Sequence, residues 1–93
     1  MRTIWTTPAR VQLAEAMEYI ADENPLAAIL LDEDIDRTVR RLEQYPNSAK
    51  IGRLKGTREA VIGSYILVYE VHPDCLLITH FVHCARLFPH DPQ

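Results

Sequence analysis

The stretch Tyr19-Ile20-Ala21-Asp22-Glu23-Asn24-Pro25-Leu26-Ala27-Ala28 decides how this chain folds. Upstream of it, Ala9, Leu13, Ala16, Met17 and Ile20 recur at three- and four-residue spacing, which gives a helix with one apolar face. Downstream, Ala28, Leu31, Ile35, Val39 and Leu42 repeat the pattern. Between the stripes stands one asparagine–proline pair. Asparagine caps a helix, and proline is tolerated in the first turn because the N–H it lacks would have no partner there. Two helices joined without a spacer must fold back as a hairpin to share their apolar faces. Glu15, Glu18 and Asp22 lie off the first stripe, on the solvent side.

Working outward, Thr7-Pro8 repeats the same start signal, with Thr7 read as the cap of the first helix. The residues before it, Arg2–Thr6, are β-prone. The second helix ends at Tyr45-Pro46, because a residue before proline is pushed out of helical geometry. Asn47-Ser48-Ala49 and Gly52 read as turns. Glu59–Ile62, Tyr65–Val71 and Leu76–His83 are then β-branched and aromatic runs joined by Gly63-Ser64 and His72-Pro73-Asp74. Both connections suit antiparallel hairpins. Leu76–His83 is apolar on both faces, as a central strand requires. The order β-α-α-β-β-β predicts an α+β two-layer domain: an N-terminal strand, then a helical hairpin packed on a small antiparallel sheet. Residues 1–93 are expected to form one domain, with 87–93 as a flexible tail carrying two prolines and no pattern.

Composition narrows the function. The chain has 47 % hydrophobic and 25 % charged residues, which excludes disorder and collagen-like repeats. No apolar run approaches the ~20 residues of a membrane span, and the N-terminus lacks a signal-peptide core, so a cytoplasmic protein is expected. The formal charge is -3. Acids concentrate on the helices, whereas Lys50, Arg53, Lys55 and Arg58 form a short basic segment without an acid. That segment reads either as a cationic contact patch or as a solvated loop. A nucleic-acid binder is usually far more basic overall, so direct nucleic-acid binding is not expected.

Catalytic and metal patterns find little purchase. Cys75 and Cys84 bracket one strand, which would hold them roughly 30 Å apart against about 4.4–6.8 Å for a disulfide, so free thiols in a reducing compartment are expected. His80 and His83 fall on opposite faces of that strand, and His72 and His90 lie elsewhere, so no metal or cofactor is expected. Cys84 and His83 are strand neighbours that point apart, and Ser64 lacks a nucleophile elbow. Arg58 and Arg86 remain as cations that antiparallel neighbours would bring to one sheet edge; the plainer role for Arg58 is a salt bridge to the acidic helices. Leu26, Ile29 and Leu30 widen the apolar arc at the start of the second helix, either for burial against the sheet or as an exposed patch for a partner.

In order along the chain come Trp5, Ala9, Tyr19-Ile20-Ala21, Asn24-Pro25, Ala27-Ala28, Leu42, Pro46, Gly52-Arg53, Gly56-Thr57-Arg58-Glu59, Tyr65-Ile66-Leu67-Val68-Tyr69, His83 and Arg86. This set resembles the RelE/ParE superfamily of toxin–antitoxin toxins from about Ile4 to Pro89. The resemblance implies a helical hairpin on a small sheet, a bacterial toxin, and a cognate antitoxin as partner in a hetero-oligomer. RelE-type members cleave messenger RNA on the ribosome with several basic residues. Here Ile66 stands where such members commonly carry arginine, and Glu59-Ala60-Val61-Ile62 carries no lysine, leaving only Arg58 and Arg86 for that role. Asn24-Pro25, Gly56-Thr57-Arg58-Glu59 and the His83…Arg86 ending are closer to the ParE-type branch, which targets DNA gyrase by binding. The implied target contacts are Arg53, Lys55, Arg58, His83 and Arg86, and the implied antitoxin contacts are Leu26, Ile29 and Leu30. A member that keeps the fold and antitoxin binding but has lost toxicity is the third possibility.

Overall fold

The computed structural model describes residues 1–85. Its elements are β1 (Arg2–Trp5), α1 (Thr7–Glu23), α2 (Pro25–Gln44), β2 (Lys50–Ile51), β3 (Arg58–Ile62), β4 (Tyr65–Val71) and β5 (Cys75–His83). The expected order is present, with one short strand added at Lys50–Ile51 in a segment read as turn. Those two residues join the sheet because they face Glu59 and Arg58 of β3 across a tight loop.

The hairpin reverses on one residue. The Asn24 backbone N–H donates to the Ile20 carbonyl at 2.7 Å, closing α1, while its Oδ1 accepts from the Ala27 N–H at 3.1 Å, opening α2. At the other end of α1 the cap is Thr6, one residue earlier than the sequence suggests. Its hydroxyl accepts from the Ala9 N–H at 3.3 Å, so Thr7 is already helical and Pro8 still occupies the first turn. The Tyr45 N–H donates to Arg41 and ends α2 before Pro46.

The sheet order is β1-β5-β4-β3-β2. Three of the four pairings are antiparallel, but β1 runs parallel to β5, with Trp5 opposite Ile78. β5 is therefore central, which accounts for its apolar residues on both faces. The extra residue Thr79 interrupts the β4–β5 register between Val68 opposite His80 and Tyr69 opposite Ile78. This bulge lets Ile78 and Phe81, three residues apart, share the face under the helices.

On that face Ala60, Ile62, Leu67, Tyr69, Leu76, Ile78 and Phe81 pack with Ala9, Ile35 and Leu42. Leu13, Ala16, Met17, Leu31 and Val39 close the layer from the two predicted stripes. Tyr65 stacks on Phe81 at 4.9 Å between centroids. Beyond the end of β1 the Phe81 N–H has no strand partner, and Gln12 of α1 accepts from it at 2.8 Å. The β3–β4 turn is Gly63-Ser64, with Gly63 at φ 58°, a backbone region glycine enters without steric cost. Cys75 is buried and Cys84 exposed, at opposite ends of β5, and both are free thiols as expected.

Candidate functional site

Two surfaces emerge from this scaffold. The first is the loop joining β2 to β3, which carries the basic segment. Gly52 N–H donates to the Thr57 carbonyl at 2.8 Å, and a Cβ on Gly52 would meet the Thr57 hydroxyl oxygen at 2.3 Å. Only glycine therefore lets the two limbs of the loop approach this closely. Thr57 in turn donates from its hydroxyl to Leu54 O at 2.6 Å.

The pivot of the loop is Glu59, which follows Arg58 in β3 and faces the other side of the sheet. It is 3 % exposed, on the sheet face opposite the helices. Its carboxylate accepts from the Arg53 backbone N–H at 2.9 Å, from Arg53 Nε at 3.0 Å and from Arg53 Nη2 at 3.2 Å. Lys50 Nζ stands 4.0 Å away. Burial alone would push the Glu59 carboxyl up, but the Arg53 hydrogen bonds and the Arg53 and Lys50 charges outweigh it and hold it below its ordinary value. Arg53, expected as an outward contact, is thus tied to the molecule's own acid.

Arg58 is also occupied. Its Nη1 donates to Ala49 O at 2.8 Å and to Asn47 O at 3.2 Å, rather than to the acidic helices. The Tyr69 hydroxyl donates to Pro46 O at 2.6 Å, so Arg58 and Tyr69 together fasten residues 46–49 to the sheet. Burial raises the Tyr69 phenol above its ordinary value. His83 meets Tyr65 edge-on at 5.2 Å, and its Nδ1 accepts from the Ala85 N–H at 3.0 Å. The register places His83 opposite Tyr65, which faces Ile62, whereas Arg58 faces Tyr69. His83 and Arg58 are therefore offset by four strand positions, about 13 Å along the strands, and by two strand spacings across the sheet. The sheet does not gather the expected contact residues at one point. Lys55 makes no hydrogen bond or ion pair among the described residues and projects from the loop tip; Arg86 lies outside the described residues.

The second surface is the start of α2. Leu26, Ile29 and Leu30 are 62 %, 57 % and 51 % exposed. Their spacing of three and four puts them on one helical face, and Tyr19, 70 % exposed, lies near the same end of α1. Of the two readings open for these residues, burial against the sheet is overturned. Ile35, Thr38 and Leu42 are the buried positions of α2. Signals for Glu59 existed in the sequence, since it is the one acid close to four bases, but its partner depends on a strand the sequence did not announce.

Among the described residues no helix is long and apolar enough to cross a membrane. The sequence matches the family model described as ParE toxin of type II toxin-antitoxin system, parDE, over residues 3–88. It is 34 % identical over 90 residues to a Sinorhizobium fredii protein named "Putative toxin Y4kP", covering 95 % of this chain and 93 % of that one. It is 26 % identical over 86 residues to "Toxin RelE2" of Caulobacter vibrioides, covering 92 % and 98 %. The fold is similar to a solved chain titled "Chromosomal ParDE TA system from P. aeruginosa", with a TM-score of 0.78 at 19 % identity, covering 89 % of this chain and 95 % of that one. The helical hairpin on its five-stranded sheet, read with a family match that runs nearly end to end, places this chain in the ParE toxin family of type II toxin–antitoxin systems.

Proposed function

We propose that this toxin acts by binding DNA gyrase and is neutralised by a cognate antitoxin that covers Leu26, Ile29 and Leu30. One observation carries the choice of a binding mode over RNA cleavage. Arg58, one of the two cations left for a phosphoryl-transfer site, is spent on the carbonyls of residues 47 and 49, and its neighbour Arg53 is spent on Glu59. Stabilising a charged phosphorane requires donors aimed at one developing charge, and these are aimed into the protein. Lys55 at the loop tip, with Arg53 and Arg58 shaping the loop that presents it, is the target contact of this reading.

The exposed face of α2 supports the antitoxin half. A helix face with apolar anchors at i, i+3 and i+4 suits an apolar segment laid against it. The test is supercoiling of relaxed plasmid by purified gyrase, with toxin titrated in and antitoxin added back. Inhibition with cleaved DNA, relieved by antitoxin, is the expected result. No effect at micromolar toxin overturns the gyrase reading. Cleavage of messenger RNA on purified ribosomes in a parallel reaction would assign the ribonuclease role instead.

A further inference from the structure

The edge of the sheet beyond β2 carries an opening that neither surface above includes. β2 covers β3 only at Arg58 and Glu59, which face Ile51 and Lys50. In a two-residue hairpin the residues flanking the turn, here Ile62 and Tyr65, exchange both backbone bonds. Alternation then turns the N–H and C=O of Ile62, Ala60 and Arg58 toward β4, and those of Val61 and Glu59 toward the outer edge. Glu59 meets Lys50 there. Val61 has no such partner among the described residues, because the chain before Lys50 turns away, with Ser48 N–H donating to Tyr45 O. Its side chain is also 61 % exposed. An open donor and acceptor on an edge strand form a template for another extended chain.

The groove beside that edge has a definite charge. It is lined by Asp34, Arg37, Thr38 and Arg41 from α2 and by Val61, Ile62 and Gly63. Arg37 forms an ion pair with Asp34 within the helix. Arg41 is exposed and pairs with no acid among the described residues, so the groove keeps one uncompensated guanidinium on an otherwise acidic hairpin. A fork of N–H donors beside an open strand suits a carboxylate on the incoming chain.

We propose that this edge takes an extended, acidic segment of a protein partner, added as a strand beside β3 at Val61 with a carboxylate on Arg41. It rests on the reading that this toxin works through protein contacts, though not on gyrase being the target. Both backbone bonds would form at Val61, and the groove would hold the acidic side chain on the α2 side.

The test uses the whole chain labelled with ¹⁵N and two capped hexapeptides, Asp-Val-Glu-Val-Glu-Val and its counterpart with lysine at each acidic position. The acidic peptide is expected to slow hydrogen exchange of the Val61 amide about tenfold at saturation, and the lysine peptide to leave it unchanged. Arg41→Glu, at an exposed position, should abolish that protection. Val61→Pro should abolish peptide binding while keeping the native spectrum, since the outward N–H it removes serves no β4 bond. Equal protection by both peptides, no protection by either, or full binding by the Arg41→Glu chain would overturn the proposal. Protection that rises with the toxin's own concentration, without peptide, would show a second copy at the edge and overturn it too. None of these readouts involves gyrase, so a failed supercoiling test and a failed strand addition are distinguishable.

Discussion

The start of α2 and the loop from Lys50 to Arg58 make an instructive pair. In sequence each leaves two readings open: core material or a partner patch for the first, a cationic contact patch or a solvated loop for the second. In the folded molecule Leu26, Ile29 and Leu30 stand in solvent, while Arg53 and Arg58 are held by internal acceptors. Apolar residues are left outside when the sheet below is already covered, and charges turn inward when a buried acceptor waits for them. Exposed apolar surface and unpaired charge are therefore the features to look for in a binding protein.

Removing Arg53 should give the largest effect on stability. Arg53→Ala leaves the Glu59 carboxylate buried with Lys50 as its one remaining charge partner, and is expected to cost about 3 kcal/mol in urea unfolding with an unchanged m-value. A loss below about 0.5 kcal/mol would mean that the loop is a solvated one and that Arg53 is free for the target after all.

Leu30→Glu tests the other region. It should weaken antitoxin binding by at least about tenfold, yet shift unfolding stability by less than about 1 kcal/mol, since Leu30 is half exposed and outside the buried core. Unchanged antitoxin affinity in the folded variant would remove Leu30 from the contact surface.

Tyr69→Phe should cost about 1 kcal/mol by deleting the bond to Pro46 O, and Arg58→Ala a similar amount. Because both bonds fasten residues 46–49, a double-mutant cycle in chemical unfolding should show coupling between them. Strict additivity would mean that the two anchors hold independent pieces of chain.

Acid should destabilise the fold in two stages. Burial holds His80 below its ordinary 6.5, so the unfolded chain binds its proton first and stability falls as pH drops below 6.5 through the lower folded value. Glu59 is likewise depressed, so its contribution is present above its ordinary 4.5 and is lost as pH falls through the folded value. Stability measured from pH 8 to 3 should lose its upper step in His80→Gln and its lower step in Glu59→Gln. Lys55→Ala should have the smallest effect on stability, within a few tenths of a kcal/mol, while weakening gyrase inhibition. Undiminished inhibition would take the loop tip out of the target contact.

Much of the architecture was legible along the chain because it is set by local rules. Asn24-Pro25 encodes a cap and a start within two residues, and no tertiary contact is needed to read them. Gly63-Ser64 between two β-branched runs does the same for the β3–β4 hairpin. The shift of the first cap from Thr7 to Thr6 is a small miss, since both threonines can cap and the choice depends on where β1 releases the chain: the Thr6 N–H donates to Ile78 O at 3.0 Å. The strand at Lys50–Ile51 was not legible, because two residues carry no periodicity and their pairing comes from the loop that Gly52 allows. The bulge at Thr79 was equally hidden, being a mismatch between two strands and not a property of either.

By itself, then, the sequence determined the helical hairpin, the three long strands and their order, because capping chemistry and side-chain period act over a few residues. Only the tertiary structure decided that β1 lies parallel to β5, that Glu59 engages Arg53, that Leu26, Ile29 and Leu30 remain outside, and that Val61 faces an open edge. Each of those depends on where distant segments of the chain come to lie, and a hydrogen bond forms only once its partners stand about 3 Å apart.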